Sequence, residues 1–231
     1  VASITIISAS HALGLISFTE PIGRPIDVAL VQGNFEQSLK FDPEYLQQQI
    51  NFYSNAIKSS DSHLVVAPET AFPVPLKFIS QELISDIKPN TAKKNVILGV
   101  VSAGQSGLPT NSAIGLNQGN LIYQYDKSHL VPFGEFIPWG FQWFVDLFKV
   151  PLGNFERGSL TQTPYILEQG TDQIAIGLMI CYEDVFGDEL AKRQRISSLE
   201  HNLWINLTNL AWFGESQAPE RQLRLARLRS I

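Results

Sequence analysis

Gly177-Leu178-Met179-Ile180-Cys181-Tyr182-Glu183-Asp184 is the stretch on which the reading of this chain turns. Gln173–Met179 is an apolar run of strand length, and it gives way to polar residues just past the thiol of Cys181. Asp184–Gln194 then has helical spacing, and Asn202–Leu207 reads as a further strand. A strand, helix, strand order belongs to an α/β fold, in which ligands gather at strand ends. Taken alone, Cys181 also has a plainer reading, because a free cysteine is commonly a small buried hydrophobe. To act as a nucleophile it needs a base and a positive neighbour.

Two segments upstream offer them. Leu64-Val65-Val66-Ala67-Pro68-Glu69-Thr70-Ala71-Phe72-Pro73 puts one carboxylate at the end of a β-run, bracketed by prolines that restrict the backbone. Glu69 is a candidate general base in apolar surroundings, or else a cap at a strand end. Tyr123-Gln124-Tyr125-Asp126-Lys127-Ser128-His129-Leu130 places Lys127 just past another strand. It is either an exposed partner of Asp126 or a cation aimed at a developing oxyanion. The three positions are separated by 127 − 69 = 58 and 181 − 127 = 54 residues, each gap long enough for a crossover that returns to the same sheet edge. Glutamate, lysine and cysteine together make a coherent acyl-transfer site: base, oxyanion partner and nucleophile.

The surrounding chain fits one α/β domain with a mixed sheet. Strands are expected at Ile26–Gln32, His63–Ala67, Asn95–Ala103, Asn111–Leu116 and Leu121–Tyr125, the last two joined by a turn at Asn117-Gln118-Gly119-Asn120. Helical stretches are expected at Pro43–Lys58 and from Ser80–Asp86. The 231 residues are 44% hydrophobic and only 17% charged, which excludes intrinsic disorder. A net charge of −5 argues against a nucleic-acid partner, and a single cysteine excludes an intrachain disulfide or a multi-cysteine zinc site. Residues 1–18 carry no formal charge and no basic region precedes them, so no signal peptide is expected. Their length reaches the lower bound for a membrane span, about 17–25 residues, yet Ser3, Thr5, Ser8, Ser10 and His11 suit a packed or frayed segment better.

Ala67-Pro68-Glu69-Thr70-Ala71-Phe72-Pro73, the run from Tyr125 to Pro138 and Ile180-Cys181-Tyr182-Glu183 resemble the nitrilase (carbon–nitrogen hydrolase) superfamily. More narrowly, Val131-Pro132-Phe133-Gly134-Glu135-Phe136-Ile137-Pro138 and Asn209-Leu210-Ala211-Trp212-Phe213-Gly214 are similar to its apolipoprotein N-acyltransferase family, with Val28–Asn34 as the opening of the match. The resemblance implies a four-layer αββα sandwich and no metal or organic cofactor. It makes Glu69 the general base, Lys127 the catalytic lysine and Cys181 the acylated nucleophile, with Glu135, Tyr182 and Glu183 in support. The implied reaction is ping-pong: an acyl chain passes from a phospholipid to Cys181, then to the N-terminal diacylglyceryl-cysteine of an apolipoprotein. The implied setting is the bacterial inner membrane, with the catalytic domain facing the periplasm. On that view residues 1–24 hold the end of a transmembrane helix and residues 25–231 the catalytic domain, incomplete at its C-terminal end; the isolated piece is then expected to be poorly stable or inactive. The family usually has Asp where this chain has Leu210, which puts the geometry of that loop in question.

Aromatic residues crowd the segment after Lys127. Phe133, Phe136 and Trp139, with Trp212 farther on, are candidate lipid contacts, and Phe141, Trp143, Phe144 and Phe148 fall on one face of an expected helix. Arg221, Arg224, Arg227 and Arg229 read as a solvated helix face, with phosphate contact the alternative. Three functions compete: a membrane-associated N-acyltransferase, a soluble amidase or nitrilase using the same three residues with water, and a non-catalytic binding module.

Overall fold

The computed structural model describes residues 2–13, 15–16, 20–36, 39, 42–79, 94–140 and 154–229. Helix α1 (Ala2–Leu13) is followed by strand β1 (Val28–Leu30), helix α2 (Pro43–Ser59) and strands β2 (Leu64–Val66) and β3 (Phe72–Pro75). Strands β4 (Asn95–Ala103), β5 (Pro109–Asn117) and β6 (Asn120–Asp126) complete a six-stranded sheet. A second sheet holds β7 (Tyr165–Gln169), β8 (Asp172–Ile180) and β9 (Leu203–Leu207). A 3-10 turn (Cys181–Val185) and helix α3 (Gly187–Ile196) lie between β8 and β9, and helix α4 (Ala218–Arg229) comes last.

Helix α2 starts where Asp42 accepts the backbone N–H groups of Glu44 and Tyr45 and Pro43 presets the first turn. Its Ile50, Tyr53 and Ile57, three and four residues apart, are buried against the outer face of the large sheet with Val65, Val96, Leu98, Val100, Ile114 and Leu116. The opposite face of that sheet presents Leu64, Val66, Ile97, Ala113 and Tyr125 to Tyr165, Leu167, Ile176, Leu178, Ile180, Ile205 and Leu207 of the small sheet. Successive residues of β2 thus face different layers, the period-two rule of a strand. Helices α3 and α4 attach to the small sheet: Leu190 and Arg193 of α3 are buried, and α4 bonds the 3-10 turn through Gln222 and Arg229. The layers run helix, sheet, sheet, helix, the αββα sandwich.

Topology sends the ends of β2 and β6 to one edge of the large sheet. β2 is parallel to β4, β4 antiparallel to β5, and β5 antiparallel to β6, so β2 and β6 run the same way. The β5–β6 turn has Gln118 and Gly119 at positive φ, 50° and 76°, the backbone of a type I′ hairpin. The expected strands are present with ends shifted by a few residues. Two were not expected: β3, in which Pro73 and Pro75 remove ladder donors, and β7, a short run behind Pro164. The helix expected at Asp184 starts at Gly187, because the 3-10 turn occupies the intervening residues.

Helix α1 has 12 residues and a length of about 18 Å at 1.5 Å per residue, against a hydrocarbon core of about 30 Å. No helix among the described residues is long and apolar enough to cross a membrane. The helices expected at Ser80–Asp86 and along Phe141–Phe148 lie outside the described residues.

Candidate active site

Glu69 sits where the chain leaves the sheet and returns to it. β2 pairs with β4 at Asn95–Ile97 and β3 pairs with the same strand at Val100 and Val101, so residues 67–71 loop out between the two stretches. Thr70 takes φ of 49° to make the turn, and buried Gln49 of α2 donates to the carbonyls of Thr70 (2.9 Å) and Ala71 (3.1 Å). Gly99 lies beneath the loop. A Cβ there would meet the Cα of Glu69 and the backbone N of Thr70 at 2.6 Å, so the close approach requires glycine.

Lys127 follows β6 directly, and its side chain is 1% exposed. The ammonium lies 3.0 Å from Oε1 of Glu135 and 3.4 Å from Oε1 of Glu69. Asn111 Nδ2 donates to both carboxylates, at 2.8 Å to Glu69 and 2.6 Å to Glu135. The backbone N–H of Asn209 donates to Oε2 of Glu69 at 3.2 Å, and that of Val131 to Oε2 of Glu135 at 2.8 Å. Instead of the apolar surroundings expected from its neighbours in sequence, Glu69 faces an ammonium, an amide and a backbone donor. Burial alone would lower the Lys127 pKa; the charges of Glu69 and Glu135 outweigh it and leave the ammonium more firmly protonated than usual.

Cys181 follows β8 and opens the 3-10 turn with φ of 58°, in the left-handed region that a non-glycine side chain rarely adopts. The carbonyl of this residue accepts from Asn206 Nδ2 (2.9 Å) and Gln222 Nε2 (3.2 Å), which hold the elbow against β9 and α4. Such local strain persists where the surroundings over-determine it, often at functional sites. Burial pushes the thiol up to about 12, and the negative charge of Glu69 adds to this; Lys127 and the Thr208 hydroxyl pull the other way. The sulfur therefore feels both the acid and the amine, and it rests as a neutral thiol.

The supporting residues divide by what they touch. Glu135 shares the Lys127 ammonium from a tight loop whose Phe133 has φ of 61°. Tyr182 donates its hydroxyl to the Leu130 carbonyl (2.8 Å), and the Lys127 ammonium stands 5.8 Å from its ring centre. Glu183 is 1% exposed and does not bond Lys127; it braces backbone on both sides of the site. Phe133 and Trp139 point outward, Trp139 at 99% exposure, while Phe136 is half-buried with the Arg157 guanidinium 5.8 Å from its ring. The Trp212 side chain lies outside the described residues. At Leu210 the loop is tied by its neighbour: Asn209 accepts from Ala211 N and donates to Glu69. The four arginines read as a solvated face are exposed, and Arg229 also donates to the carbonyls of Asp184 (2.8 Å) and Val185 (3.0 Å).

Sequence reading missed Asn111, Arg193 and the Asn209 backbone. A signal for Asn111 was present: Thr110, Asn111 and Ser112 are three successive polar residues opening an otherwise apolar strand, and all three are buried. A buried polar run implies partners.

The sandwich places this chain among α/β proteins built from two facing sheets between helical layers. Residues 27–231 match the model of the carbon-nitrogen hydrolase family, and the chain belongs to that family. It is 39% identical over its whole length to an apolipoprotein N-acyltransferase of Ralstonia nicotianae and 33% identical, over 94% of its length, to one of Nitrosomonas europaea. It spans 44% and 43% of those relatives. An amidase of the nitrilase superfamily from Nesterenkonia AN1 shares the fold at a TM-score of 0.58 and 18% identity, over 91% of this chain and 74% of the amidase.

Proposed function

We propose that this chain is the catalytic part of an apolipoprotein N-acyltransferase, with Glu69 as base, Lys127 as oxyanion partner and Cys181 as nucleophile. The observation that carries the reading is the meeting of Glu69 and Lys127, 58 residues apart, at 3.4 Å, with Glu183 tying the residue after Lys127 to the residue before Cys181. Likeness to N-acyltransferases along the whole chain supports a phospholipid donor and a lipoprotein acceptor as the substrates.

Glu69 takes the thiol proton as the sulfur attacks the ester carbonyl of a phospholipid. The carbonyl oxygen becomes an oxyanion beside the Lys127 ammonium. The intermediate collapses with loss of the lysophospholipid alkoxide, which receives the proton from Glu69, and leaves a thioester on Cys181. The α-amino group of a diacylglyceryl-cysteine then attacks the thioester and gives its proton to Glu69. The thiolate leaves and is reprotonated, and an amide remains on the lipoprotein. A base and an oxyanion donor each contribute factors of about 10²–10³ to such a step. Glu135 and Asn111 hold the ammonium and the base in place rather than reacting.

Exposed Phe133 and Trp139, on the loop that carries Glu135, suit an approach to lipid. A phospholipid donor and a lipoprotein acceptor support a setting at the bacterial inner membrane, with the domain facing the periplasm. Incubation of the membrane enzyme that carries this chain with phospholipid and a diacylglyceryl-cysteine peptide tests the reading. N-acylated peptide is expected; release of free fatty acid with no acylated peptide would instead make the protein a hydrolase, an alternative supported by likeness of fold alone.

A further inference from the structure

Arg193 of α3 is 5% exposed, and no part of the proposed reaction uses it. Its Nη1 donates to the Leu178 carbonyl at 3.0 Å, and its Nη2 to Oε1 of Glu183 at 3.2 Å and, by a short bond, to the Ser128 hydroxyl. The guanidinium carbon stands 5.3 Å from the centre of the Tyr125 ring. Glu183 is the junction of this cluster. Its Oε1 accepts the backbone N–H groups of Ser128 (2.8 Å) and His129 (3.1 Å), the two residues that follow Lys127. Its Oε2 accepts the N–H of Ile180 (2.7 Å), the residue that precedes Cys181, and the Tyr125 hydroxyl (2.9 Å).

We infer that Arg193 is a positioning residue: acting through the Glu183 carboxylate, it locks the loop that carries Lys127 to the elbow that carries Cys181. The Lys127 ammonium is engaged by Glu69 and Glu135, so it does not supply the countercharge for Glu183. A buried carboxylate without a countercharge is strongly unfavourable. Removing Arg193 therefore frees Glu183 to turn away, and its grip on the loop and the elbow slackens together. A guanidinium suits the place because one planar fork reaches a carbonyl, a carboxylate and a hydroxyl, which an ammonium on a flexible stem does less well.

The inference deepens the acyltransferase reading and rests on it for the reaction that is measured. Alkylation of Cys181 by iodoacetamide, which needs no lipid, is therefore followed in parallel. In Arg193→Met, acyl-enzyme formation from phospholipid is expected to fall about 10²-fold with KM nearly unchanged, the effect of misplacing reacting groups by about 1 Å. The pH profile of alkylation is expected to move from that of the wild type, because Lys127 no longer keeps its place beside the sulfur. Arg193→Lys keeps the charge but not the fork, and an intermediate loss of about tenfold is expected. A folded Arg193→Met with the wild-type rate and alkylation profile, even at a lower melting temperature, would overturn the inference. If Arg193→Met does not fold, Arg193→Lys decides: a reduced rate and moved profile support it, and wild-type values overturn it. If the wild type forms no acyl-enzyme, the acyltransferase reading fails while the alkylation profiles still decide the role of Arg193.

Discussion

A thiol pushed up to about 12 makes Cys181 a poor nucleophile until a base acts on it. Its alkylation rate is expected to keep climbing as pH rises beyond 9; a plateau reached below pH 8 would show a preformed thiolate and contradict the site described. The same shift links to stability. The folded pKa lies above the ordinary 9.0, so the folded chain holds the proton more tightly and stability falls as pH rises from about 9 towards about 12. Cys181→Ala removes that share of the alkaline loss, measurable as a flatter melting temperature against pH. Lys127→Met leaves two carboxylates sharing a buried site without their cation. A loss of about 3–5 kcal/mol in stability is expected by denaturant melt, together with at least about 10²-fold in acyl-enzyme formation. Glu69, Lys127 and Cys181 stand out in the sequence because each is a reactive type at the end of an apolar run. Arg193 does not, because it sits in an ordinary polar helix, and the polar run that marks Asn111 does not name its partners, carboxylates 42 and 24 residues away.

At the scale of elements, the loop between β2 and β3 depends on the strand beneath it. Gly99→Ala drives a methyl group into the backbone of Glu69 and Thr70, with a Pro68 carbonyl also in its path. A cost of about 1–3 kcal/mol and a fall in kcat from the displaced base are expected, read by thermal melt and single-turnover acylation. Helix α2, which supports the same loop through Gln49, is fixed at its far end by Lys94. The buried ammonium donates to the carbonyls of Ile57 (3.0 Å), Lys58 (3.5 Å) and Ser60, capping the last turn. Lys94→Met leaves those carbonyls without their donor, at about 1–3 kcal/mol in a denaturant melt. Neither support was legible beforehand. Gly99 lies within a run of strand residues with nothing local to mark a close approach, and Lys94 reaches carbonyls 34 to 37 residues earlier. Strand β3 was hidden because proline, usually a mark against a strand, is tolerated where β3 pairs with β4 in only two places.

Across the whole molecule, the site exists because two sheets meet with their strand ends in register. Leu64, Val66 and Ile97 of one face Ile176, Leu178 and Ile180 of the other, and Tyr165 crosses between them to donate to Asn95 Oδ1 at 2.7 Å. Tyr165→Phe removes that bond to a buried amide, and a loss of about 0.5–1.5 kcal/mol is expected with little change in the acylation rate of the folded protein. The order of strands and helices, and the packing of α2 by its apolar spacing, could be read from periodicity. How the sheets stack could not, because a strand buried on both faces carries no mark of which layer each face meets.

Everything functional in this account depends on an acyl group reaching Cys181. Intact-protein mass of the membrane enzyme that carries this chain, taken after exposure to phospholipid, measures that directly. One adduct of acyl-chain mass is expected on the wild type, absent in Cys181→Ala and strongly reduced in Glu69→Gln and Lys127→Met. An unmodified wild type, or an adduct that survives in Cys181→Ala, would contradict it.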